Sequence, residues 1–249
     1  MDGFLLSFLV RTQGSIRLKI FSLQNKKVSA TIKKIIDKNL SYLGINELLD
    51  LTQICINNER NNIEGIIVEA GCALGGSAIA LAIGKRKNRN LFLYDIFDMI
   101  PPPSDSDGED VQKRYKVIVS EKSPGIRGNT YYGYEKNLYD KVVQSFADFG
   151  LEIKKNNIHL VKGLFENTLK IESPVALAHI DCDWYDSVFT CLNRIEPQLV
   201  RGGTLVIDDY YLWSGCKKAV DDYFESKDRN NYRFIRKRIY YKNLHIIRR

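Results

Sequence analysis

The 249-residue chain contains no CxxC pair, and its five cysteines, Cys55, Cys72, Cys182, Cys191 and Cys216, are an odd number. Neither a disulfide framework nor a thiolate zinc site follows from such a set, and a reducing, cytoplasmic setting is expected. Long apolar runs are missing too. The opening stretch Phe4-Leu5-Leu6-Ser7-Phe8-Leu9-Val10 falls far short of the roughly 20 residues of a bilayer span, and no basic n-region or small-residue cleavage site accompanies it. It reads as a packing or dimer segment, with a shallow interfacial anchor as the alternative. Internal repeats and low-complexity tracts are absent.

A net charge of +7 arises from 37 basic against 30 acidic residues. The excess sits at the two ends, in Arg11, Arg17, Lys19, Lys26, Lys27, Lys33 and Lys34 and in Arg233, Arg236, Lys237, Arg238, Lys242, Arg248 and Arg249. That distribution does not make a continuous nucleic-acid groove, so no nucleic-acid partner is expected. It is compatible with a solvated face or with peripheral membrane contact through the N terminus.

With 44% hydrophobic residues the chain can bury one sizeable core. From Gly65 onward, short apolar runs alternate with helical patterns, the signature of a mostly parallel α/β sheet. Strands are expected at 66–68, 91–94, 158–161, 175–180 and 204–207, and helices at 46–62, 78–83, 137–149, 188–199 and 217–225. The tail from Phe234 to Ile247 suggests a closing antiparallel hairpin with Tyr241 to Asn243 near its turn. Residues 98–155 interrupt the alternation with Pro101-Pro102-Pro103, an acidic run through Asp105, Asp107, Glu109 and Asp110, and a Tyr/Gly stretch. An excursion of that length predicts a lid or substrate-binding insertion. The expected organisation is an N-terminal basic and apolar extension over 1–40 and one domain over 41–249.

The turn Glu69-Ala70-Gly71-Cys72-Ala73-Leu74-Gly75-Gly76-Ser77 follows a strand and opens a helix, where α/β sheets bind nucleotide-like ligands. Its GxxxGG spacing lacks the GxGxxG dinucleotide fingerprint, and no Lys-Ser/Thr follows as in a phosphate-binding loop. An acid at the strand end, Glu69, suits a cationic ligand better than a phosphate, and Asp95 at the end of the second strand suits ribose hydroxyls. A nucleoside with a cationic tail fits both. Helix capping is the other ordinary use of such acids.

His179-Ile180-Asp181-Cys182-Asp183 ends one strand and Val206-Ile207-Asp208-Asp209-Tyr210 ends a later one. If the two strands are neighbours, four carboxylates gather at one sheet edge, and like charges that close call for a cation or a proton. All-oxygen ligation favours Mg²⁺, on Asp181, Asp208 and Asp209, with Asp183 as the base; Asp181 and Asp183 form the expected catalytic pair. His179, inside an apolar strand, reads as a hydrogen-bonded core histidine.

These stretches, together with Asp95-Ile96-Phe97-Asp98-Met99-Ile100-Pro101-Pro102-Pro103 and Gly163-Leu164-Phe165-Glu166-Asn167-Thr168-Leu169, resemble the macrocin O-methyltransferase family, to which mycinamicin- and novobiocin-type sugar O-methyltransferases belong. The resemblance covers roughly residues 42–224 and departs at Asp98-Met99, where an acid-glycine step is usual, and over the first forty residues. It implies a Rossmann-like class I methyltransferase fold with a mostly parallel seven-stranded sheet, helices on both faces and a lid after the second strand. It also implies S-adenosyl-L-methionine, Mg²⁺ and a hydroxyl of a sugar or sugar-bearing metabolite as acceptor. Carried over by motif, the cofactor contacts are Glu69, Gly71, Gly75, Ser77, Asp95, Gly163 and Phe165, and the metal contacts Asp181, Asp208 and Asp209. A homo-oligomer is expected. The competing readings are a metal-dependent hydroxylase or a non-catalytic binding module on the same scaffold.

Overall fold

Ile66–Ala70 (β1) and Val175–Ile180 (β4) are buried at every position, as strands covered on both faces must be. They lie side by side at the centre of the computed structural model, which describes residues 3–236 and 242–249, residues 3–11 by their backbone alone. Leu91–Asp95 (β2), Ile158–Lys162 (β3), Leu199–Ile207 (β5), Tyr232–Arg236 (β6) and Leu244–Arg248 (β7) complete a seven-stranded sheet in the order β3-β2-β1-β4-β5-β7-β6. The first five strands are mutually parallel, and β7 runs antiparallel to both β5 and β6. The expected antiparallel closure is therefore present. Tyr241, expected near its turn, lies outside the described residues.

Helices cover both faces. On one, Ile67, Leu91, Leu93, Leu177 and Val206 pack against Lys26–Asp37 (α2), Ile45–Arg60 (α3), Gly76–Gly84 (α4) and Leu138–Asp148 (α6). On the other, Val68, Ala70, Ala178, Ile180, Leu205 and Ile207 pack against Tyr185–Ile195 (α8) and Ser214–Glu225 (α9). Because side chains alternate along a strand, this parity also decides which polar strand residues face which layer. Glu69 and His179 share the face of Ile67 and Leu177.

The insertion 98–155 divides in two. Its second half is core: α6 buries Leu138, Val142 and Phe146 at 1%, 0% and 0% exposure. Its first half carries a helix that the sequence pattern did not suggest, Glu109–Val119 (α5), whose buried positions are Val111 and Ile118 alone. Two apolar anchors among so many charged residues make a thin periodicity. The acidic run docks this segment on the layer below. Asp107 accepts the Tyr185 N–H at 2.8 Å, and Asp110 accepts the Ser214 N–H at 2.9 Å. Carboxylates thus sit on the orphan donors and positive dipole ends of α8 and α9. The Trp184 indole adds a hydrogen bond of 3.0 Å to the Pro101 carbonyl.

Gly3–Gln24 (α1) leads into α2, which Asn25 caps by accepting the Val28 N–H. Val28, Ile32 and Ile35 of α2 belong to the main core, and Arg17 on α1 pairs with Asp50 on α3 at 2.7 Å. Ile16, Ile20 and Leu23 of α1 are exposed at 54%, 59% and 84%. The side chains of the Phe4 to Val10 run are outside the described residues. Among the described residues, no helix is long and apolar enough to cross a membrane.

Glu196, only 2% exposed, ties the far end of the sheet together. It accepts from the Tyr223 and Tyr232 hydroxyls and pairs with Lys227 at 3.1 Å and Arg248 at 3.8 Å. Burial works against its charge, but the two tyrosines and Lys227 outweigh that and hold the carboxyl below its usual range. Glu196→Ala leaves two buried phenols and two cations without their acceptor, and should destabilise the fold by about 3 kcal/mol in chemical denaturation.

Candidate functional site

A cavity opens over the carboxyl ends of the parallel strands, the edge at which open α/β sheets bind ligands. Its floor is the β1–α4 turn. Gly71 (φ +85°) passes so close to β4 that a Cβ would fall on the Asp181 carbonyl, and Gly75 (φ +86°) turns the chain into α4. Both conformations are left-handed, which glycine adopts without strain. Ala73 (φ 42°), Phe97 (φ 50°) and Asp183 (φ 58°) adopt the same region without that excuse. Non-glycine residues held so at one site are characteristic of functional loops.

Asp95 braces this floor. Its carboxylate accepts the N–H groups of Cys72 (2.7 Å), Ala73 (3.2 Å) and Phe97 (2.6 Å), joining the β1 and β2 loops. Burial pushes its carboxyl above the usual range, against the pull of those three donors. Gly71, Asp95, Gly163 and Phe165 all line the cavity, the last at the start of the short helix Phe165–Thr168 (α7). Gly75, Ser77 and Glu69 are not part of its wall. Ser77 is buried in the first turn of α4. Glu69, fully buried, lies beneath the turn, where its Oε1 is 2.9 Å from His179 Nδ1.

Pairing of β4 with β5 sets His179 opposite Val206 and Ile180 opposite Ile207, so the next residues on the two strands emerge together. Asp181, Asp208 and Asp209 each offer a carboxylate oxygen within 4.8 Å of the others. Oδ1 of the buried Asp208 has no hydrogen-bond partner among the described residues, as expected of an oxygen left for a further cation. The donor set, all oxygen, suits Mg²⁺.

One cation is already there. Lys242, from the segment entering β7, places Nζ 2.9 Å from Asp208 Oδ2 and 2.8 Å from Asp209 Oδ1. Burial opposes its charge, but Asp208, Asp209 and Asp181 prevail and hold the ammonium strongly protonated. The sequence reading did not single it out. Asp181 is driven well above the ordinary carboxylate range by burial and by Asp208 and Asp209. Asp183 hydrogen-bonds Asp209, and this contact, after burial, pushes the Asp209 carboxyl up to about 7.

Asp183 lines the cavity beside Asp181 and Asp209. Aromatic side chains line the same cavity: Tyr42, Tyr131, Tyr132, Trp184 and Trp213. Tyr131 and Tyr132 pack with centroids 4.5 Å apart, and Trp184 meets Trp213 edge-on at 6.0 Å. Burial, more than the nearby Asp183, raises the Tyr131 hydroxyl to about 12, so it stays neutral and able to donate.

The description Macrocin-O-methyltransferase (TylF) matches residues 25–232. The demethyldecarbamoylnovobiocin O-methyltransferase of Streptomyces niveus is 26% identical over 189 residues, which cover 74% of this chain and 67% of that one. The mycinamicin III 3''-O-methyltransferase of Micromonospora griseorubida is 24% identical over 190 residues, covering 74% and 69%. Among solved structures, the O-methyltransferase NovP superposes with a TM-score of 0.68 at 23% identity, covering 84% of this chain and 82% of that one, and so shares the fold. The family match spans most of the chain and includes both strand-end aspartate stretches and the glycine turn: the chain belongs to the macrocin O-methyltransferase family.

Proposed function

We propose that the chain transfers a methyl group from S-adenosylmethionine to a hydroxyl of a sugar or sugar-bearing metabolite, with Mg²⁺ held by Asp181, Asp208 and Asp209. One observation carries this reading. A single cavity runs from the glycine turn, suited to a nucleoside, to a carboxylate cluster suited to a divalent ion, and is lined by aromatic side chains suited to a sugar.

When bound, S-adenosylmethionine supplies an electrophilic methyl group, and Mg²⁺ supplies a Lewis acid that favours ionisation of a coordinated hydroxyl. The rest falls to the chain. Gly71 and Gly75 would let the backbone approach the cofactor, Asp95, which braces the turn, would receive its ribose hydroxyls, and Gly163 and Phe165 would hold it from the cavity wall. Gly75 and Ser77 open α4 beneath it, and Glu69 supports the turn from below through His179. The Asp183 carboxylate, which lines the cavity, takes the acceptor hydroxyl proton. Tyr131, Tyr132, Trp184 and Trp213 hold the acceptor ring and exclude water.

In the same reading residues 41–249 are the catalytic domain, 98–155 its lid insertion and 1–40 an extension. The exposed Ile16, Ile20 and Leu23 of α1, flanked by lysines, support homo-oligomerisation or peripheral membrane contact through that extension. The relatives named above are O-methyltransferases of demethyldecarbamoylnovobiocin and of mycinamicin III, and the buried free thiols suit a cytoplasmic enzyme.

The test is methyl transfer from labelled S-adenosylmethionine to a panel of glycosides in the presence of Mg²⁺, read by mass spectrometry. A mass gain of one methyl on a sugar hydroxyl is expected. If S-adenosylhomocysteine fails to bind by calorimetry, the reading is wrong at its base.

A further inference from the structure

Two cationic side chains line the cavity among the described residues, Lys242 and Arg114. Lys242 is neutralised by Asp208 and Asp209. Arg114 is not: no carboxylate of the described residues comes within ion-pair reach of it. Its Nη2 donates to the Ser123 hydroxyl at 2.8 Å, and its guanidinium lies over the Tyr131 ring at 5.6 Å from the centroid. Both contacts are with neutral groups.

These contacts also fix it in place. Ser123 is buried, its N–H donates to the Tyr134 hydroxyl at 3.1 Å, and that hydroxyl donates to the Ile118 carbonyl at 2.7 Å. Arg114 is therefore anchored within its own segment, where it lines the same cavity as Tyr131 and Asp183. A guanidinium presents five N–H donors in a planar fork that matches a carboxylate or a phosphate, and here a single hydrogen bond is made. The remaining donors of this half-buried side chain are left for solvent or a ligand in the cavity.

Tyr131 relates Arg114 to the chemistry. The guanidinium lies over its ring, while its hydroxyl lies in the field of Asp183. Asp183, Tyr131 and Arg114 thus line one cavity, with Tyr131 in contact with the guanidinium and under the influence of the carboxylate.

We infer that the acceptor is an anionic sugar, bearing a phosphate or a carboxylate that Arg114 receives while the hydroxyl to be methylated faces Asp183. This rests on the reading of the cavity as a sugar O-methyltransferase site. It adds a specificity-determining residue and narrows the acceptor class.

Binding to the protein saturated with S-adenosylhomocysteine tests it, with three probes: glucose 1-phosphate, glucuronate and neutral methyl glucoside. One or both anionic probes should bind at least about 10-fold more tightly than the neutral one, and which of them does so identifies the anion. Arg114→Gln should remove that preference without changing affinity for S-adenosylhomocysteine or methyl glucoside. Arg114→Lys, which keeps the charge but loses the fork, should keep only part of it. If no anionic probe outbinds the neutral one 10-fold, or if Arg114→Gln keeps the preference, the inference is overturned. Failure of S-adenosylhomocysteine to bind the unmodified protein is a separate result and strikes the methyltransferase reading instead.

Discussion

Asp183→Asn should slow methyl transfer by about 10³-fold in single-turnover kinetics while leaving the affinity for S-adenosylhomocysteine within about two-fold. The substitution is isosteric, so the aromatic wall keeps its packing, and Asp183 is not one of the carboxylates gathered in the cation cluster. What it removes is the acceptor of the hydroxyl proton. Burial lifts the Asp183 carboxyl above its usual range, which makes the carboxylate a better base than a free aspartate. The residue is also held in a left-handed conformation (φ 58°), which asparagine tolerates as well as aspartate does. Asp181→Asn separates the alternatives. It should weaken binding of a divalent ion, whereas Asp183→Asn should leave that binding near its original value. A loss of less than about ten-fold with Asp183→Asn would move the base to Asp181.

The carboxylate cluster was legible from the chain because it needs only two facts. Residues 175–180 and 204–207 read as buried apolar strands, and consecutive strands of such a sheet are usually neighbours; the observed pairing of Val175–Ile180 with Leu199–Ile207 then brings Asp181 beside Asp208. Lys242 was not legible, because its place depends on the register of the antiparallel return. In the structure Ile207 pairs with Leu244, so two residues further along β5 and two back from β7 bring Asp209 opposite Lys242. A turn placed at Tyr241 to Asn243 hides that match. Glu69 illustrates a different limit. Its type and position at a strand end point to the ligand, but the parity it shares with Ile67 turns its side chain towards α3 and α4, where His179 meets it. The α5 segment, with Val111 and Ile118 as its only buried anchors, carries too little apolar periodicity to announce a helix, yet it supplies Arg114 to the cavity.

Asp208→Asn should lower Mg²⁺-dependent turnover by about 10³-fold, since a bound divalent ion supplies several kcal/mol to a developing alkoxide. Lys242→Met should act in the opposite sense on binding, tightening Mn²⁺ affinity by about ten-fold in an EPR titration. Charge sets the direction of the effect. Asp181, Asp208 and Asp209 share one ammonium, whose Nζ lies within 2.9 Å of Asp208 and Asp209, so a divalent ion must displace it or bind beside it. At a few ångströms, and at the effective dielectric of a protein surface, that repulsion between a divalent and a monovalent cation amounts to about 8 kcal/mol before the chain relaxes, and swinging a flexible lysine aside recovers most of it. A ten-fold gain, about 1.4 kcal/mol, is the fraction expected to remain. If Lys242→Met instead abolishes metal binding, the ammonium organises the aspartates rather than competing for them. If the unmodified protein with cofactor binds no divalent ion at all, the Lys242 ammonium is the cluster's own counter-ion and the metal assignment of Asp181, Asp208 and Asp209 fails.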